Sequence, residues 1–517
     1  MASQLRKRFV VTAVAGSVVL ATALWLASCS PRVVDQYSEV AREPDISPDY
    51  SGTVVPPNIA PLNFQVREEG RAYLLKVHSQ RGAPVTAFSK TGQMRISARP
   101  WRKLLETNRG RDLHFDIYVQ DRDRQWRRFQ TVTNTIAEED IDGTLVFRLM
   151  KPLYNWWKDI GIYQPDLASF DTSVVLHGRS FGEGCLNCHS FAGNDPDTLS
   201  ISLRSATYGS HTLLAQDGQV EKVGAKWGYT AWHPSGRIAV YSINKVIQFF
   251  RAGAMEVRDV ADLDSALVCY DVESRTATSP PELADKDRLE TYPAWSPDGK
   301  FLYYCSAPIL WQDRNKVPPD NYENLKYDLL RIGYDIETGQ WGQAETVLSA
   351  EDTGLSILLP RVSPDGRFLL FCMCDYGCFP VYQPSSDLYI MDLATRQYRR
   401  LAINSEFSES WHSWSSNSRW IAFSSKRQGG LFTRTYLSYV DEAGTAHKPF
   451  VVPQKDPTTY DSLLETYSTP ELVTGPVNAR KWRLAQAARA GPSIATDIPI
   501  TGASPKTVPS DPWQERE

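Results

Sequence analysis

Apolar and polar residues alternate in short runs along most of the chain, a period that predicts β-strands. From Tyr50 to Gln164, stretches such as "AYLLKVHS", "LHFDIYVQ" and "GTLVFRLM" are separated by Gly, Asp and Asn turns, so a small β-sandwich-like domain is expected over 50–165. One interruption, "PWRKLLETN" from Pro100, has Pro at a first helical position and the apolar pair Leu104 and Leu105, which predicts a single helix or long turn. Farther on the pattern repeats: "AWHPSGRIAVYS" from Ala231, "AWSPDGKFLYYCS" from Ala294, "RVSPDGRFLLFCM" from Arg361 and "SWSSNSRWIAFSS" from Ser413. Each has an apolar anchor, a tight turn of Ser-Pro-Asp-Gly or a variant, then an alternating strand. Pro suits the second turn position because its φ is preset, and Gly the position a side chain crowds. Each unit continues into a strand that ends in an acidic turn, as in "LVCYDVESRT" and "LYIMDLATRQY". Four-stranded units repeated in this way build the blades of a β-propeller. The unit spacing exceeds the usual ~40 residues per blade, so insertions are present. The expected fold is all-β, with a propeller of five or six blades over 218–473 closed by strands near Leu213 and Phe450.

"YPAWSPDGKFLYY" and "SDLYIMDLATRQ" resemble the repeats of TolB-like propellers, a resemblance that covers about Gly218 to Val473. It implies an architecture and no activity. After about Pro476 comes a basic stretch, "ARKWRLAQAARA", and then Pro, Ser and Thr with few apolar residues, so 474–517 is expected to be a basic and then disordered tail.

The first 28 residues read as a secretory signal: Arg6, Lys7 and Arg8, an uncharged run from Phe9 to Leu26, then Leu-Ala-Ser before Cys29. That ending resembles the lipobox of bacterial lipoproteins, which implies that Cys29 is acylated and that 29–49 is a tether. Ser30 in place of Asp implies, by the sorting habit of Gram-negative lipoproteins, transfer to the periplasmic face of the outer membrane. A single spanning helix is the bland alternative. The net charge of -4 is spread over both signs without a basic block, so nucleic acid is not an expected partner.

"CLNCH", Cys185 to His189, is the pattern in which two thiols add to haem vinyl groups and place the adjacent histidine under the iron. With 8 Cys and 8 His in 517 residues, its chance frequency is roughly 0.002 per chain. A thioredoxin-like pair needs a strand before it and a helix after it, and a zinc site a second ligand pair; neither is visible. One haem c is therefore expected, held by Cys185, Cys188 and His189 in a segment over 166–217. That segment is too short to enclose a porphyrin, so its walls are expected from both the sandwich and the propeller. The chain is also similar to TolB-like chains that carry this haem motif, in "CLNCHSF" and in "YSGTVVPPNIAPLNF". In those a Met or His follows soon after the motif. Here "DPDTLSISLRS" has neither, which leaves His211, His177 and Met255 as distal candidates. Gly178-Arg179-Ser180-Phe181-Gly182 spells a nucleophile elbow, but the strand, turn and helix that it requires are not evident; the loop is read as turning the chain toward the haem, with Arg179 or Arg204 for a propionate.

Of the other cysteines, Cys305 and Cys372 fall at a small-residue packing position, and Cys374 and Cys378 are spaced for a tight disulfide. The leading expectation is an anchored monohaem protein that passes single electrons to a redox partner or other envelope protein, with the propeller as docking platform. The alternative is a propeller binding or scaffold module in which the haem is a staple or sensor. A haem enzyme is the third, with no catalytic acid or base located.

Overall fold

The computed structural model describes residues 34–151, 159–313 and 316–491 and the backbone of 501–502. The signal, Cys29 and most of the tail lie outside the described residues. Among the described residues six units of four antiparallel strands stand around one axis, one of them extended by a parallel strand at Thr501–Gly502, so the chain is an all-β, six-bladed propeller. Blade 1 is shared between distant parts of the chain: Thr144–Met150, Gly161–Pro165 and Thr172–His177 form its outer strands and Thr466–Val473 its innermost. Blade 2 runs from Cys185–Phe191 to Gln219–Val223, blade 3 from Thr230–Trp232 to Thr276–Ser279, and blade 4 from Arg288–Trp295 to Gln340–Leu348. Blades 5 and 6 run from Ser356–Val362 to Tyr398–Arg400 and from Glu409–Trp414 to Phe450–Val451.

Two expectations change. The ring begins at Thr144 and not near Gly218: the expected sandwich took in two strands of blade 1, and the expected haem segment took in Thr172–His177 and the first three strands of blade 2. Closure is made by Thr466–Val473 pairing with Thr144–Met150; Leu213 lies in the third strand of blade 2 and Phe450 in the outer strand of blade 6.

The repeated turns explain the repeated motif. In the Ser-Pro-Asp-Gly units, Ser296 and Ser363 donate through Oγ to Asp298 (2.6 Å) and Asp365 (2.5 Å), and the glycines Gly299 and Gly366 take φ of 70° and 73°. The variant in blade 6 keeps the same bond with Asn417 as acceptor, and Ser418 takes the left-handed conformation at φ 62°. A serine there costs about 1 kcal/mol relative to glycine, which the surrounding turn tolerates.

The N-terminal domain, Ser38 to Ile136, has a seven-stranded sheet, a three-stranded sheet and the expected helix at Ala98–Thr107, which buries Trp101, Leu104 and Leu105. The connecting segment 137–143 ties it to blade 6. Asp142 accepts from Ser416 N (2.8 Å) and Oγ (2.6 Å), Glu139 accepts from Tyr439 Oη (2.9 Å), and Trp420 Nε1 donates to Glu139 O (3.3 Å). Trp420 is fully buried and meets Tyr439 edge-on. Trp420→Phe is expected to cost about 2 kcal/mol through the lost bond and volume. A urea titration should show it, together with faster proteolysis between Ile136 and Thr144.

Cys305 and Cys372 are fully buried, as a packing position requires. Cys374 and Cys378 are not joined: both thiols are free, and they donate to Tyr376 O (3.3 Å) and Val260 O (3.5 Å).

Candidate functional site at the propeller axis

Each innermost strand breaks its ladder register or begins at the same level, and a bulge of this kind turns one residue out of the sheet. The residues turned out are Thr469, Cys188, Tyr229, Tyr292, Leu359 and Trp411 for blades 1 to 6, and together they line a cavity of about 40 Å³ on the axis. Four of them hold positive φ: Tyr292 at 54°, Leu359 at 57°, Trp411 at 42° and Thr469 at 49°. Such backbone costs of order 1–3 kcal/mol per residue and collects at functional sites. The aromatic members touch: Tyr229 and Tyr292 have ring centroids 4.2 Å apart, and Tyr229 and Trp411 5.8 Å.

The haem-like motif is part of this ring. Cys188-His189-Ser190-Phe191 occupies in blade 2 the place that Trp411-His412-Ser413-Trp414 occupies in blade 6. Cys185 begins the strand, opposite Arg204, with its side chain in the apolar core between blades 1 and 2. His189 and His412 are both buried, and burial pushes both rings down to about 3, so each is neutral. Their surroundings differ. His412 has Leu370 O 3.1 Å from Nε2 and Cys372 Sγ 3.7 Å from Nδ1. At His189 the equivalent carbonyl, of Val146, lies beside the ring without completing a hydrogen bond, and neither nitrogen has a partner. The residue in the place of Cys372 is Arg148, which accepts no bond. Burial also raises the Cys188 thiol, against the opposing pull of Arg148, Lys226 and Arg361.

An ion pair crosses the same level. Arg361 of blade 5 meets Glu471 of blade 1 at 3.0 Å, reaching past blade 6, and burial holds the Glu471 carboxyl above its ordinary range despite that partner. Blade 3 supplies a roof: its second and third strands, Ile238–Phe250 and Arg258–Asp271, run on as a long hairpin toward the loops of blades 5 and 6. There Asp259 accepts from Tyr376 Oη (2.9 Å) and Gln383 Nε2 (3.2 Å), and Glu256 pairs with Lys426. Tyr292 Oη donates to Cys378 O (2.6 Å), whose thiol bonds the hairpin at Val260, so roof and axis are continuous.

None of the distal candidates shares the cavity with His189. His211 lies in the third strand of blade 2 with Nε2 2.6 Å from Tyr208 O. His177 ends an outer strand of blade 1 and accepts from Arg179 N (3.2 Å). Met255 is 76% exposed at the hairpin tip. Arg179 pairs with Asp159, and Gly178–Phe181 is a short turn that carries the chain from blade 1 to blade 2. The cavity walls come from the six blades, and none from the N-terminal domain.

The residue types are those a haem c would take, two thiols on one strand and a buried histidine with both nitrogens unbonded, but Cys185 faces the core between blades 1 and 2 while Cys188 and His189 face the cavity. The cavity, at about 40 Å³, is far below the several hundred Å³ of a ligand-sized pocket and does not hold a porphyrin as it stands.

No family model matches the chain, and no curated relative does. Among solved structures, an oligogalacturonate lyase from Vibrio parahaemolyticus is 14% identical over 73% of this chain and 100% of its own, with a TM-score of 0.32. The Dos1 propeller is 11% identical over 54% of this chain and 64% of its own, also at 0.32. A chain of a nidogen/laminin complex is 10% identical over 64% and 99%, at 0.37. Likeness at these values bears on no residue of the axial site.

Proposed function

We propose that the protein is a TolB-like propeller of the cell envelope that carries one c-type haem, joined to Cys185 and Cys188 with His189 as axial ligand, and passes single electrons to a docked partner. The observation that carries this reading is the His189 ring, buried beside Cys188 with neither nitrogen bonded, where its counterpart His412 has neighbours at both. A buried polar group without a partner calls for an explanation such as an absent ligand. A bound haem supplies a one-electron couple at its iron. The chain's own part is to keep His189 neutral by burial, and so able to ligate, and to provide Arg148, Lys226 and Arg361 as charge of the sign that propionates need. A lipid anchor at Cys29 belongs to the same proposal.

A second reading, in which the haem senses a small ligand, is favoured by one observation: His211, His177 and Met255 all stand apart from the cavity of His189. The test is a reduced-minus-oxidised spectrum of the matured protein, with and without carbon monoxide. A low-spin spectrum unmoved by carbon monoxide supports electron transfer, and a ready shift supports the sensor. A colourless protein from a host with the c-haem maturation machinery overturns both.

A further inference from the structure

We infer that the helix Lys481–Arg489 is a contact face for anionic lipid headgroups; the inference does not rest on the haem reading. The inner side of this helix is fixed. Leu484, Ala485 and Ala488 are buried in the core shared by blades 1 and 2. Lys222, only 2% exposed on the outer strand of blade 2, donates from Nζ to Ala488 O (2.9 Å) and Ala490 O (2.6 Å). A cation there meets the negative end of the helix dipole, so the helix is clamped to the propeller at its C-terminus.

Its outer side is of another composition. Arg480, Lys481, Trp482, Arg483 and Arg489 are all exposed, and Trp482 is 56% so. Between Thr474 and Gly491 there is no acidic residue, whereas the whole chain carries a net -4. Among the described residues none of these four cations has an ion-pair partner. Arg483 donates to Gly218 O (2.7 Å) and stacks 5.4 Å from the Trp482 ring, and Arg489 donates within its own helix to Ala485 O (3.2 Å). Some exposed arginines elsewhere are neutralised, as Arg42 is by Glu68, Arg122 by Glu69 and Arg400 by Asp387, while others such as Arg99 and Arg124 stand singly and not in a cluster with an exposed indole.

The unneutralised charge calls for an anionic partner, and the indole selects among them. Trp482 stands exposed among these cations on the outer side of a helix whose inner side is packed on the propeller. Its ring, apolar with one N–H, suits the headgroup level of a bilayer, where Trp is enriched and Lys or Arg near an anionic surface contribute attraction. No helix among the described residues is long and apolar enough to cross a membrane.

The test uses the intact protein with vesicles of phosphatidylcholine alone or mixed with phosphatidylglycerol, both with brominated acyl chains. The signal is the quenching that Trp482→Phe removes, which isolates this indole whether or not a lipid anchor also holds the protein. Quenching is expected only on the phosphatidylglycerol vesicles. It should need roughly 30-fold more lipid in Arg480→Gln, Lys481→Gln, from two charges each supplying the usual surface attraction. Arg122→Gln on the N-terminal domain should change nothing. Equal quenching on neutral vesicles, no quenching on either, or an equal loss in Arg122→Gln overturns the inference. All three variants alter exposed side chains, so their melting curves should match the parent.

Discussion

Cys185→Ala, Cys188→Ala protein is expected to lose all covalently held haem while remaining folded. The loss is read as the absence of a haem-stained band on a denaturing gel beside a stained parent. The separation of cofactor from fold is what makes the result informative. Cys185 sits in the apolar core of blades 1 and 2 and Cys188 at the edge of a small cavity; trimming each thiol to a methyl costs about 1 kcal/mol, well inside the stability of a propeller of this size. Urea unfolding should therefore move little between the two proteins under reducing conditions without haem. His189→Leu sharpens the experiment, because it keeps both thioethers and removes the axial ligand: the band persists and the spectrum changes. A parent without a haem band, or a double variant that keeps one, would falsify the haem assignment.

Asp262→Asn is expected to stabilise the protein at pH 8 and to change it little near pH 4. Asp262 lies at the root of the roof hairpin, 1% exposed; its Oδ2 accepts from Asn244 Nδ2 (2.6 Å) while Oδ1 makes no hydrogen bond. Burial raises its carboxyl to about 7. An unfolded aspartate titrates near 3.9. Below that value both states hold the proton and the group contributes no pH dependence. Between about 4 and 7 the unfolded chain releases the proton and the folded one keeps it, so stability falls as pH rises, and it levels above 7. Three pH units correspond to about 4 kcal/mol. The asparagine, which cannot ionise, should abolish that fall. Urea midpoints at pH 4, 6 and 8 check it; parallel curves for the two proteins would show that the buried carboxylate is not the source.

The sequence carries the propeller in its turns, because Ser-Pro-Asp-Gly and its variants each specify a local hairpin whose residues are adjacent in the chain. Blade 1 has no such signature. Its outer strands follow one another from Thr144, but their inner partner is Thr466–Val473, and no local pattern announces pairing over that separation. "CLNCHSF" stands out in the sequence as a spacing of thiols and histidine and gives no sign there of its place in the fold. Its frame matches "SWHSWSS" of blade 6 only when Cys188 is set against Trp411, and its turn is one residue longer, with Ala192 N bonding Thr198 O. The axial residues were within reach. Extending the four aligned repeats two positions toward the N-terminus brings Tyr229, Tyr292, Leu359 and Trp411 into one column, the residues that the bulges turn inward. What no alignment supplies is the contrast between His189 and His412. It depends on Arg148 and Cys372, neighbours contributed by other strands.

The shared first blade also sets a timetable. Arg148 and Ser468 face each other across 320 residues of chain, a separation whose closure costs about 5 kcal/mol of chain entropy by the logarithmic law. As the polypeptide is synthesised, blades 2 to 6 can each complete their four antiparallel strands from contiguous sequence, while Thr144–His177 must wait with an exposed edge for Thr466–Val473. A chain cut anywhere before Thr466 is an open arc and not a smaller ring, and for that interval the unpaired edge of Thr144–Met150 is the part of the nascent molecule in need of a chaperone.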